Sequence, residues 1–307
     1  GVQIGLSAND RFVSKPEAVV GAEYLSAGFG SETTVDVIAK NGFEDEVVAA
    51  AKTVDGVKDA EVATLPITNE VLKGDEYTKI TVTLEAESLS QDAFDSIKGL
   101  RAEFETMADA GALVGGQEAQ QLDVKDSYQR DQSLIIPLIL ALVFIVLLLL
   151  LRSLVAPVLL LLTVVGSFFA SLGAGWLIFV NVLGYSALDL SVYLFSFLFL
   201  VALGVDYNIF LVTRAKEESG ALGLREGMIK ALSSTGGVIT SAGILLAAVF
   251  AVLGVLPLIA LLQIGIIVCI GVLLDTLLVR TVIVPALAFM AGEKFWWPRK
   301  PAIEPKA

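Results

Sequence analysis

From about residue 133 to about residue 290 the chain consists of five apolar stretches separated by short polar breaks. They run near 133–151, 156–180, 189–213, 236–256 and 261–290. A helix needs roughly 20 apolar residues to cross a hydrocarbon core, and each stretch comes near or beyond that length. Lipid offers no hydrogen bonds to bare backbone, so such stretches must become helices. The last is longer than one crossing needs, which predicts tilt, a kink near Pro285 or an interfacial turn at its start.

Residues 1–131 have another character. They carry 11 basic and 25 acidic side chains, net −14, against 10 and 8, net +2, in residues 132–307. An acidic half of this kind excludes the basic footprint of a nucleic-acid binder. Ser14-Lys15-Pro16-Glu17 has capping-box spacing with an early proline and predicts a helix over about 15–28. Strands are expected at 33–38, 58–66 and 112–115, and a clear alternation marks 77–85. Helices are expected at 43–54 and 90–107, the latter with Phe94, Ile97, Leu100, Arg101 and Phe104 on one face. From residue 33 the order is β-α-β-β-α-β, a ferredoxin-like α+β pattern. Gln117 to Asp131 reads as helix and leads straight into the first span.

Arg152, then Arg214, Lys216, Arg225 and Lys230, then Lys294, Arg299 and Lys300 all fall on one set of connections. The opposite loops, Asn181 to Leu188 and Val255 to Ala260, hold no lysine or arginine. The positive-inside rule makes the first set cytoplasmic. Residues 1–131 are then an external domain, 132–292 a multi-pass bundle and 293–307 a cytoplasmic tail. Residues 1–10 have no basic segment and no apolar core, so they do not read as a signal peptide. An external domain without one needs a helix upstream of Gly1. Leu224, Met228 and Leu232 oppose Arg225, Glu226 and Lys230, which predicts an amphipathic cytoplasmic helix over 221–233. Membrane lipids are thus expected partners.

The chain has one cysteine, Cys269, and no histidine, so it holds neither a disulfide framework nor a thiol or imidazole metal site. No phosphate-cradling Gly-rich loop is present. With no nucleophile–base set visible, the chain does not read as an enzyme and implies no cofactor beyond protons.

Few ionisable groups lie inside the spans. Asp189 stands at an edge, where it reads as a helix cap. Asp206 lies well inside the third span, about two turns from Arg214. A carboxylate there costs about 2.5–3.5 kcal/mol on insertion scales and is kept for a polar partner or a proton. The structural alternative is a buried carboxylate tied to a hydroxyl. Tyr207 is adjacent, and neighbours in sequence do not share a helix face, so each needs a partner on another helix. Gly204 permits close approach of such a helix. Asp275 sits near the middle of the fifth span; Arg280, five residues on, is poorly placed to reach it on a regular α-helix. Thr240 and Ser241 could offer a hydroxyl. The small residues Gly166, Ser167, Ala170, Ser171, Ala174 and Gly175 read as helix packing.

Gly204-Val205-Asp206-Tyr207-Asn208-Ile209-Phe210-Leu211 followed by Arg214 resembles the signature helix of the MMPL family of the resistance-nodulation-division superfamily. Leu151-Arg152-Ser153 before Pro157, Leu274-Asp275-Thr276 with Val279-Arg280 and Val284-Pro285-Ala286, and Trp296-Trp297-Pro298 are similar to that family too. The resemblance implies half of a twelve-span exporter of the bacterial inner membrane, one porter domain and five spans, lacking the N-terminal repeat. It implies a proton relay in which Asp206 and Tyr207 meet the matching pair of that repeat, with Asp275 secondary and Ser241 nearby. The implied cargo is lipid or another hydrophobic molecule, and a homo-oligomer is left open. A rival reading is a non-transporting membrane scaffold or lipid sensor on the same fold. The aspartate pair Asp206 and Asp275 lacks the sequence contexts of an intramembrane aspartyl protease.

Overall fold

A computed structural model describes residues 12–29, 32–185 and 187–298. The N-terminal ten residues and the tail beyond Pro298, both interpreted from sequence, lie outside the described residues. The chain divides into two units, one holding Ser14–Gln129 and one holding Arg130–Ala307.

The first unit opens with α1 (Glu17–Phe29), followed by β1 (Thr33–Lys40), α2 (Glu44–Ala51), β2 (Val57–Val62), β3 (Tyr77–Leu84), α3 (Gln91–Glu105) and β4 (Leu113–Gly115). The strands form an antiparallel sheet in the order β2-β3-β1-β4. β1 and β3 pair from Thr33 opposite Leu84 to Lys40 opposite Tyr77. Both alternate in burial, so Val35, Val37 and Ala39 share one face with Ile80, Val82 and Leu84. That face takes Val47 and Ala51 of α2 and Phe94, Ile97, Leu100 and Phe104 of α3. Each such side chain contributes roughly 1.5–3 kcal/mol by leaving water. Ser90 caps α3, its hydroxyl accepting from the Ala93 N–H at 3.1 Å. β2 stops at Val62, short of the expected 66, and the chain folds back on itself there, with Thr64 bridged to Val71. Pro66 has no N–H with which to prolong the ladder.

α4 (Gly116–Leu151) is one continuous helix of 36 residues, as the run from Gln117 into the first span suggests. The second unit continues with α5 (Val155–Ile178), a π-helical turn (Phe179–Leu183), α6 (Leu190–Leu222), α7 (Leu224–Leu253) and α8 (Ile259–Leu274). A π-helical stretch (Asp275–Ile283), α9 (Val284–Ala291) and a 3-10 turn (Gly292–Trp296) complete the last span. Five helices are long and apolar enough to cross a membrane. α5, α6, α7 and the last span interlock around Phe168, Phe197, Leu200, Val205, Ile267 and Val268. Phe168 stands edge-on to Tyr193 and Phe197, with ring centroids 5.3 and 5.2 Å apart. Asp189 caps α6 by accepting from the Ser191 N–H at 2.9 Å. Buried Gln263 of α8 accepts from the Asp189 N–H and donates to the Ala187 carbonyl, tying down the approach to α6.

One expectation is corrected. Residues 221–233 are no separate amphipathic helix: α6 runs to Leu222, and α7 runs unbroken from Leu224 to Leu253. The break falls at Gly223, whose φ of +81° ends one helix and starts the next, and no proline interrupts α7. The last span is distorted over a π-helical stretch that ends at Ile283, two residues before Pro285, and the carbonyl of Thr281 with which the proline ring would clash in a regular α-helix falls inside it.

Candidate functional site

α6 presents two faces with different fates. Phe195, Phe199, Ala202, Asp206, Phe210 and Arg214 recur at three- and four-residue intervals and are all exposed. Asp206 is thus a carboxylate on an otherwise apolar stripe that the chain leaves uncovered. The deeply buried carboxylate is Asp275, 5% exposed.

The opposite face, with Leu200, Gly204 and Asn208, turns inward, and Tyr207 stands half-buried beside it. Gly204 meets the Asp275 carboxylate so closely that any Cβ there would overlap Oδ2. The Tyr207 ring lies under the Arg280 guanidinium, with Cζ 4.6 Å from the ring centroid. Arg280 is 2% exposed and Asn208 likewise 2%. Ser167 of α5 faces Asp275. Its hydroxyl also donates to the Val164 carbonyl at 3.0 Å, the usual way a serine settles inside an apolar helix.

Asp275 and Arg280 are electrostatic neighbours, which a regular α-helix would not favour at a spacing of five. The π-helical backbone over Asp275–Ile283 supplies the reason. Its hydrogen bonds run from residue i to i+5, so side chains five apart come to one side. The guanidinium is not hydrogen-bonded in return. Among the described residues, Arg280 Nε, Nη1 and Nη2, Asp275 Oδ1, Thr276 Oγ1 and Asn208 Nδ2 are buried without a hydrogen-bond partner. A buried cation left alone costs several kcal/mol, so Asp275 and the π-face of Tyr207 are what make Arg280 tolerable.

Other expected participants stand apart from this cluster. Ser241 is exposed on α7, and its hydroxyl donates to the Val238 carbonyl of its own helix at 2.9 Å. Thr240, beside it, is half-buried. Asp206 and Tyr207, read together as one site, diverge: the first faces out of the chain and the second faces Arg280. Asn208 and Ser167 belong to the cluster although sequence reading assigned them no role. The signal for Asn208 is its place four residues after Gly204, on the same helical face. Ser167 is indistinguishable in sequence from the small packing residues around it.

The geometry is that of a membrane bundle holding a buried acid–base pair beside a Gly-x-Asp-Tyr helix. The MMPL family model matches residues 32–306. This chain belongs to the MMPL family. It is 48% identical over 296 residues to ActII-3, a membrane protein of Streptomyces coelicolor, across 96% of this chain and 40% of the relative. It is 41% identical over 227 residues to the apo-petrobactin exporter of Bacillus anthracis, across 71% of this chain and 31% of that protein. It is 41% identical over 196 residues to the sulfolipid-1 exporter MmpL8 of Mycobacterium tuberculosis, across 62% of this chain and 17% of that protein. The chain therefore spans 40% or less of the length of these curated relatives. MMPL is a family of membrane transporters, and this MMPL chain is a multi-pass membrane protein.

Proposed function

We propose that this chain is the C-terminal repeat of a proton-driven MMPL exporter and that Asp206 with Tyr207 is half of its proton relay. The observation that carries the reading is the uncovered Asp206 on α6. A carboxylate on a lipid-length apolar stripe is expensive unless a polar group meets it, and none among the described residues does. A matching helix from the N-terminal repeat supplies such a group. Tyr207, reaching the other way, connects that seam to Arg280 and Asp275. Protonation of Asp206 removes the charge from the seam, and the helices then repack.

In this reading the first unit is a ferredoxin-like porter domain on the extracytoplasmic side, and the basic connections, the Leu224 end of α7 and the C-terminus face the cytoplasm. The basic residues at Arg152, Arg214, Lys216, Arg225 and Lys230 support that orientation. The exporter names of two relatives support export as the activity of the whole protein, and the sulfolipid-1 exporter's name supports a lipid cargo.

The test is Asp206→Asn in the full-length protein. Export driven by an imposed pH gradient is lost while the purified variant keeps its wild-type melting temperature. Intact export by that variant overturns the relay; a variant that instead loses stability favours a scaffold whose aspartate is structural.

A further inference from the structure

α4 is held to the rest of its bundle in an unusual way. Between Arg130 and Leu151 only Leu147 and Leu151 are buried, both in the last turn and a half. Arg152 adopts φ +48°, and its N–H donates to the Leu148 carbonyl at 2.8 Å, so the helix closes with a left-handed cap. The carbonyl of Leu151, which that cap leaves free, accepts from Lys216 Nζ of α6 at 2.6 Å.

Lys216 makes this bond in spite of its surroundings. Arg152 is a like charge beside it. The carboxylates nearest along α6 are already engaged, Glu217 by Arg214 and Glu218 by Arg214 and Lys230. The amine therefore takes a helix C-terminal carbonyl, where a cation is favoured by the aligned peptide dipoles. Lys216 lies ten residues after Asp206, about 15 Å along the same helix. The N-terminal turns of α4 are fastened too. Glu118 accepts from the Leu89 N–H at 2.9 Å and from the Ser88 hydroxyl, and Asp123 takes both guanidinium nitrogens of Arg101 at 2.6 and 2.9 Å.

We propose that Lys216 is a positioning residue that fastens the end of α4 to the relay helix, so that displacement of α6 is delivered to α4 through one ammonium–carbonyl bond. The inference rests on the relay reading of Asp206. It adds that α4, which lays only a half-buried stripe of Ile136, Ile139, Leu140 and Val143 on the bundle before Leu147, is fixed to α6 at this point.

The experiment is hydrogen exchange on the full-length protein in lipid nanodiscs, read at amides 148–154. Lys216→Met is expected to lose protection there, and Lys216→Arg, which keeps a cationic donor, is expected to restore it. Unchanged exchange in Lys216→Met overturns the fastening whatever Asp206 does. Asp206→Asn is then combined with each. It is expected to shift exchange at 148–154 when the lysine is present and to leave it unshifted beside Lys216→Met. An equal shift in both backgrounds overturns the transmission. No shift anywhere in α6 or α4 on Asp206→Asn overturns the relay and the transmission together, while the Lys216→Met arm alone still decides the fastening. Lys216→Gln serves in the same comparison if the methionine variant does not fold.

Discussion

Gly204 and Asp275 confront each other across two helices with no room for a methyl group between them. Gly204→Ala places its Cβ on the carboxylate, and overpacking of this kind costs roughly 1–3 kcal/mol. The melting temperature of the full-length protein should fall, whereas in an Asp275→Ala background, already lowered by the stranded Arg280, Gly204→Ala should cost little more. Separate, additive losses would mean that the two residues do not bear on each other.

Arg280 and Asp275 should behave as a pair. Removing one partner of a buried ion pair strands the other, at about 3–5 kcal/mol. Arg280→Met and Asp275→Leu should each destabilise the bundle strongly, and the double variant should be less damaged than either. A double-mutant cycle measured by denaturation in detergent checks this; a coupling near zero would remove the pairing.

Tyr207 offers its ring to Arg280. Tyr207→Phe keeps a π-face and should hold stability within about 0.5 kcal/mol, while Tyr207→Leu should lose about 1–2 kcal/mol. If the phenol is also part of the relay, Tyr207→Phe loses pH-gradient-driven export at unchanged stability. Thermal unfolding and vesicle transport on the same preparations separate the two roles.

In the first unit, Thr78 Oγ1 donates to Glu44 Oε1 at 2.7 Å and holds that carboxyl at about 2, below its ordinary 4.5. A depressed carboxyl stabilises the folded state fully above about 4.5, and the contribution fades as pH falls toward about 2. Thr78→Val should therefore weaken α2 and β3 at neutral pH and flatten the acid dependence of their stability between those values. Hydrogen exchange at the α2 and β3 amides across that range measures it. A variant whose acid dependence is as steep as wild type would show that the threonine is not the cause.

What could be read from the sequence and what could not have physical reasons. The spans are legible because a membrane crossing needs a long apolar run, and the α3 stripe of Phe94, Ile97, Leu100 and Phe104 is legible because burial on one helix face imposes its period. The boundary at Gly223 is hard to place because a helix leaving the bilayer changes composition without changing backbone, so polar residues 224–235 look like another element. The π-helical stretch at Asp275–Ile283 has no local code; it depends on what Arg280 and Asp275 pack against. Asp206 and Asp275 are both lone aspartates in apolar runs, and only the arrangement of neighbouring helices decides which is enclosed.

Gly223 alone separates a 33-residue helix from a 30-residue helix. Its N–H donates to the Ser219 carbonyl at 3.1 Å, and its own carbonyl accepts from the Gly227 N–H at 2.9 Å, so even the turn is hydrogen-bonded on both sides. A joint this short stores no slack. α6 cannot slide along its axis without drawing α7 with it, and rotation about the joint is the freedom that remains. On the proposed relay, a stroke set off at Asp206 is made by a hairpin of two helices, with more surface to repack and a correspondingly sharper, more switch-like choice between its positions.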